Sequence, residues 1–126
     1  MRDYIIKYIA AYLRKSRGED DSALENHRII LNELCEKNGW TQPIEYAEIE
    51  TGDSISLRPE MQRLLSDVSK GIFDAVCVVD IDRLGRGDLG DQDKIKKAFA
   101  KSGTLIVTQN RIYDLDNEND ETAVDI

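Results

Sequence analysis

The sequence is poor in the residues that build metal and disulfide sites. It has one histidine, His27, and two cysteines, Cys35 and Cys77, with no C-x-x-C spacing. No second histidine or cysteine pair could complete a tetrahedral set, so no metal site is expected. Cys77 lies inside an apolar run, and both cysteines read as free thiols of a reducing compartment. No apolar run approaches the roughly 18 residues of a membrane span. The N-terminal MRDYIIKYIAAYLRKS carries Lys7 inside its short apolar segment and has no A-x-A-like cleavage site after it, so no signal peptide is expected. These absences point to a cytoplasmic protein with no membrane partner. There is also no internal repeat and no low-complexity linker, and 126 residues suffice for one domain with a real core.

Positive charge is scarce as well: 17 basic residues face 25 acidic ones, a net charge of −8. Taken alone, this argues against non-specific binding to a phosphate backbone. The distribution modifies that reading. The tail from Asp114 to Ile126 (DLDNENDETAVDI) holds six acids and no base, which leaves 19 acids against 17 bases in residues 1–113. A near-neutral body with an acidic end does not exclude DNA, but it implies that this domain alone binds DNA weakly.

What is present is an alternation of strand and helix patterns. Ile5–Leu13 is an apolar, β-branched run. Ser22–Lys37 has a broadly helical apolar period that Asn38-Gly39 closes. Pro43–Glu48 is a short strand candidate. Pro59 opens a helix with Met61, Leu64, Leu65 and Val68 on one face, and Lys70-Gly71 ends it. Ala75–Val79 reads as a central strand of a parallel sheet. A helix over Asp88–Lys101, a strand over Thr104–Thr108 and a short last strand at Arg111–Tyr113 complete the pattern. The expected fold is α/β, a three-layer sandwich with a mostly parallel central sheet flanked by helices.

In such sheets ligands bind beyond the carboxyl ends of the strands. Those ends hold Tyr12, Arg14 and Ser16 after the first strand, and ETGDSISLRP with Arg58 after the second. DIDRLGRG, with Arg83 and Arg86, follows the third. One arginine in a loop is ordinarily a solvated charge, and one serine between strand and helix is ordinarily an N-cap. Arginines at three strand ends are different: gathered at one edge they repel unless an anion sits among them. A serine among guanidiniums facing phosphate is the composition of a covalent phosphoryl-transfer site.

Y-L-R-K-S, T-G-D-S-I-S-L-R-P and D-R-L-G-R, in this order and spacing, resemble the catalytic domain of serine recombinases, the resolvase/invertase superfamily. Y-x-R-x-S alone is a weak signal; joined to D-R-L-G-R behind an apolar strand it is specific. The likeness runs from about Ile5 to Tyr113. R-P-x-x-x-x-L-L and R-I-Y-D are more similar to the large branch of phage integrases and conjugative-transposon recombinases than to the small resolvases.

The resemblance implies site-specific DNA recombination at a phage or other mobile element, without metal or other cofactor. Ser16 would be the nucleophile that forms a 5′-phosphoserine link. Arg14, Arg83 and Arg86 would hold the scissile phosphate, Arg58 would be the catalytic arginine of the loop before the R-P helix, and Asp82 would orient a neighbouring arginine. Tyr12 and Glu48 match motif positions beside the site, and His27 stands where the family usually has a glutamine. Asp67 stands where many resolvases have a lysine. Lys15, Arg17, Glu19 and Asp20 take no role from the family. The resemblance also implies a catalytic domain over residues 1–113 and, in the full-length protein, a homo-oligomer from dimer to tetramer. The acidic tail 114–126 would then lead into a long helix, with DNA-binding domains beyond. The competing reading is a receiver-like regulatory module of flavodoxin-like shape, with Asp80 as acceptor. A receiver needs an acid pair after its first strand, where this chain has Arg14 and Ser16.

Overall fold

A computed structural model describes residues 5–15, 18–49, 58–84 and 89–115. The strands are β1 (Ile9–Lys15), β2 (Ile44–Ile49), β3 (Ala75–Cys77), β4 (Leu105–Val107) and β5 (Ile112–Tyr113). The helices are α1 (Ser22–Lys37), α2 (Pro59–Ser69) and α3 (Leu89–Ser102), with a 3-10 turn at Ile81–Arg83. The sheet runs β2-β1-β3-β4-β5; its first four strands are parallel, and β5 is antiparallel to β4.

Side chains alternate across a strand with period two, and the two cores follow that alternation. Ala10, Tyr12, Tyr46, Val76 and Ile106 face one side, where Met61, Leu64 and Val68 of α2 and Ile95 and Phe99 of α3 cover them. Ile9, Ala11, Leu13, Cys77 and Val107 face the other, where Leu31 and Cys35 of α1 pack. The expected three-layer α/β architecture is therefore what the chain adopts. Cys35 and Cys77 are both buried free thiols. Among the described residues, no helix is long and apolar enough to cross a membrane.

The first strand is displaced from its expected position. Ile5–Leu13 reads as one apolar run, yet β1 starts at Ile9, and Ile5 and Tyr8 are exposed. The backbone N–H groups of Lys7 and Tyr8 both donate to the Asp74 carboxylate (2.9 Å each), so they are satisfied without a ladder. At its other end β1 continues to Lys15, because β2 supplies partners as far as Ile49. The third strand is shorter than expected: β3 ends at Cys77, although the Val78 N–H still donates to the Val107 carbonyl (2.9 Å).

Candidate active site

β1 carries Tyr12 and Arg14 on the α2/α3 face, since Tyr12 belongs to that core while Leu13 belongs to the opposite one. Register sets Arg14 beside Glu48 of β2. Glu48 is buried and gathers three donors. The Tyr12 hydroxyl donates to Oε1 at 2.5 Å, the Glu60 N–H to Oε2 at 2.8 Å and the Met61 N–H to Oε1 at 3.3 Å. The last two are orphan N–H groups of the first turn of α2. Arg58 occupies the N-cap position and makes no side-chain cap bond, so a carboxylate from the neighbouring strand does the capping. Burial, and next the bond to Glu48, pushes the Tyr12 phenol far above its ordinary value, so it stays a hydroxyl at any working pH.

Two arginines lock the ends of β1 and β3 together across 69 residues of sequence. Arg14 Nε donates to the Arg83 carbonyl (3.1 Å), and Arg83 Nη1 donates to the Arg14 carbonyl (3.2 Å). Arg83 Nη1 also reaches Glu19 Oε1 at 2.9 Å, and its Nε lies 3.8 Å from Asp80 Oδ2. His27 joins this group from α1. Partial burial, then the nearby Arg83 charge, lowers its pKa against the opposing pull of Glu19 and Asp80. The histidine is therefore neutral at pH 7.

Arg58 reaches under the same turn. It is fully buried, and its Nη1 donates to the Leu84 carbonyl at 3.2 Å, while its Nε and Nη2 have no hydrogen-bond partner among the described residues. A buried guanidinium with two unmet donors is costly. It is also an arrangement that an incoming anion would relieve. Arg58 and Arg14 both act electrostatically on Tyr12, with sign opposite to that of Glu48.

The structure thus brings together Tyr12, Arg14, Glu48, Arg58, Arg83 and, at the margin, His27. Ser16 and Arg86 lie outside the described residues, as does the side chain of Asp82. Lys15, given no role by the resemblance, has a structural one. It is buried, and its ammonium pairs with Asp21 at the start of α1. Glu19, which the sequence reading left without a role, is the carboxylate on Arg83. No local motif marks it; only the pairing of β1 with β3 brings residues 19 and 83 together. Asp67 accepts from the Tyr46 hydroxyl at 2.5 Å, and Arg63 stacks over the Tyr46 ring, 4.2 Å from its centroid. Asp67 therefore packs a side chain at the β2–α2 junction.

Chemically, the described part is a cationic cluster at the carboxyl ends of β1 and β3, stiffened by hydrogen bonds and backed by a buried tyrosine–carboxylate pair. It can hold an anion. A family model described as the resolvase N-terminal domain matches residues 9–126. Among solved structures, the chain is similar to the N-terminal catalytic domain of TP901-1 integrase. The TM-score is 0.73 and the identity 26%, over 94% of this chain and 88% of that one. It also resembles a resolvase family site-specific recombinase from Streptococcus pneumoniae, with TM-score 0.71 and 17% identity over 94% and 82% of the two chains. A serine recombinase from Sulfolobus solfataricus matches with TM-score 0.64 and 20% identity, over 93% and 76%. At those identities, the last two likenesses are of fold.

Proposed function

Because the chain belongs to the resolvase N-terminal domain family of serine site-specific recombinases, we propose that it cuts and rejoins DNA through a 5′-phosphoserine formed at Ser16. The Ser16 oxygen attacks the scissile phosphorus, its proton is lost, and the 3′ oxygen departs with a proton as the new strand end. Reversal by a different 3′ hydroxyl rejoins the strands, and the serine ester conserves the energy of the broken bond. Arg14 and Arg83 flank the phosphate, and Arg58 contributes its charge and its two unmet donors from beneath. Arg86 and Asp82 complete the set by their places in D-R-L-G-R. Such cations stabilise charge developing on the transferring group without needing to reorganise.

The observation that carries this reading is the convergence of Arg14, Arg58 and Arg83 from three separate elements, with Arg58 buried and incompletely paired. Tyr12, Glu48 and His27 support the cluster rather than contact the phosphate. The reaction class is integration or excision of a mobile element in the cytoplasm, with DNA as partner and a dimer-to-tetramer assembly of the whole protein. The likeness to TP901-1 integrase favours that branch. The test uses the whole protein and plasmids bearing its recombination sites. Ser16→Ala should abolish strand cleavage while leaving site binding intact; cleavage by that variant would remove Ser16 as nucleophile.

A further inference from the structure

Arg83 is the most exposed of the three described site arginines, and it is the one already holding a carboxylate. Its Nη1 meets Glu19 Oε1 at 2.9 Å, with the two side chains 21% and 32% exposed. Asp80 approaches the Nε of the same guanidinium at 3.8 Å. The cation is held in place from behind by the Arg14 carbonyl (3.2 Å), which fixes its position but carries no net charge. Glu19 is different in kind. A carboxylate oxygen accepts from a guanidinium N–H as an anionic phosphate oxygen would. The segment that carries it joins β1 to α1, so it flanks the edge where the arginines converge.

We infer that Glu19 is an internal stand-in for the substrate phosphate, occupying Arg83 until a DNA phosphate displaces it. A phosphate oxygen at Arg83 would sit within a few ångströms of the Glu19 carboxylate, and like charges in a partly desolvated site repel strongly. Binding therefore requires Glu19 to leave Arg83, and the free energy of their contact is subtracted from affinity. Glu19 would act as a positioning and gating residue, one that makes the site self-neutralised when empty. This lowers the attraction for stray polyanions and complements the chain's acidic balance. The inference rests on the assignment of Arg83 to the phosphate site.

The test is a titration of the 126-residue chain with inorganic phosphate, followed through arginine Nε–H resonances by NMR. Five proteins are compared: wild type, Glu19→Gln, Glu19→Ala, Arg83→Ala and the double variant Glu19→Gln/Arg83→Ala, with amide spectra reporting the fold. Glu19→Gln should bind phosphate about two- to fivefold more tightly, the worth of one partly exposed ion pair. That gain should vanish in the double variant. Glu19→Ala, which removes the hydrogen bond as well as the charge, should show at least the same gain. A folded Glu19→Gln chain that binds phosphate no better than wild type, or a gain that survives loss of Arg83, overturns the inference. If Arg83→Ala alone leaves phosphate affinity unchanged, the fault lies instead with placing Arg83 in the site.

Discussion

Glu48 accepts hydrogen bonds from a tyrosine on β1 and from two backbone amides of α2, so one carboxylate joins three elements. Removing it leaves a buried hydroxyl and two buried N–H groups unmet, and takes away an anion that faces the arginines. Glu48→Ala should destabilise the fold by about 3 kcal/mol or more, and Tyr12→Phe by about 1–2 kcal/mol. Urea unfolding measures both, and an equal loss in the two variants would contradict the capping role. His27 gives a signed pH effect. Its folded pKa is lowered, while the unfolded chain takes up a proton near 6.5. The unfolded state then binds more protons as pH drops below that value. The His27 contribution is present above about pH 6.5 and is lost on acidification. His27→Gln should flatten the fall in melting temperature between about pH 6.5 and 5; an unchanged slope would mean that the imidazole is not held neutral. The arginines at the site were legible from sequence because strand ends converge by rule. Their partners were not. Glu19, the Leu84 carbonyl and the reciprocal bonds of Arg14 and Arg83 depend on contacts between residues far apart in the chain.

At the scale of elements, helix boundaries were the most readable feature. α1 spans Ser22–Lys37 as its apolar period and closing Asn38-Gly39 indicate, and α2 begins at Pro59. Strand boundaries were less so, since an apolar run does not say which of its residues will find partners. Ile5–Tyr8 belongs to the same apolar run as Ile9–Leu13 but is not part of the strand, and Asp74 takes the amides of Lys7 and Tyr8 instead. The start of α2 combines two unfavourable features, a positive helix terminus and an arginine at the N-cap position, and Glu48 offsets both. The end of α2 is simpler. Gly71 adopts φ +74°, a conformation that costs a side-chain-bearing residue about 1–2 kcal/mol, and a Cβ there would meet nothing. Gly71→Ala should therefore lose about 1 kcal/mol with no change in the site, as urea melts alongside phosphate titration would show. A neutral or stabilising result would contradict the left-handed end.

At the scale of the whole molecule, fold and family were legible in the sequence because the motifs lie at strand ends that a parallel sheet must bring together. The net charge of −8 was the misleading signal. Five of its acids lie in residues 116–126, and others, such as Glu19 and Glu48, are engaged with the cationic site itself. An acidic sum thus coexists with an edge where three arginines converge, and the local arrangement is what a phosphate meets. The order of the pieces is coherent: the sheet positions the arginines, Glu48 and Tyr12 hold their support, and Ser16 follows β1 directly in sequence. The decisive measurement is to trap the whole protein on DNA bearing its recombination site under denaturing conditions, digest both, and locate the nucleotide-linked residue by mass spectrometry. A 5′-phosphoryl nucleotide on Ser16 is the expected result. Attachment at any other residue, or cleavage with no covalent protein–DNA link, would contradict it.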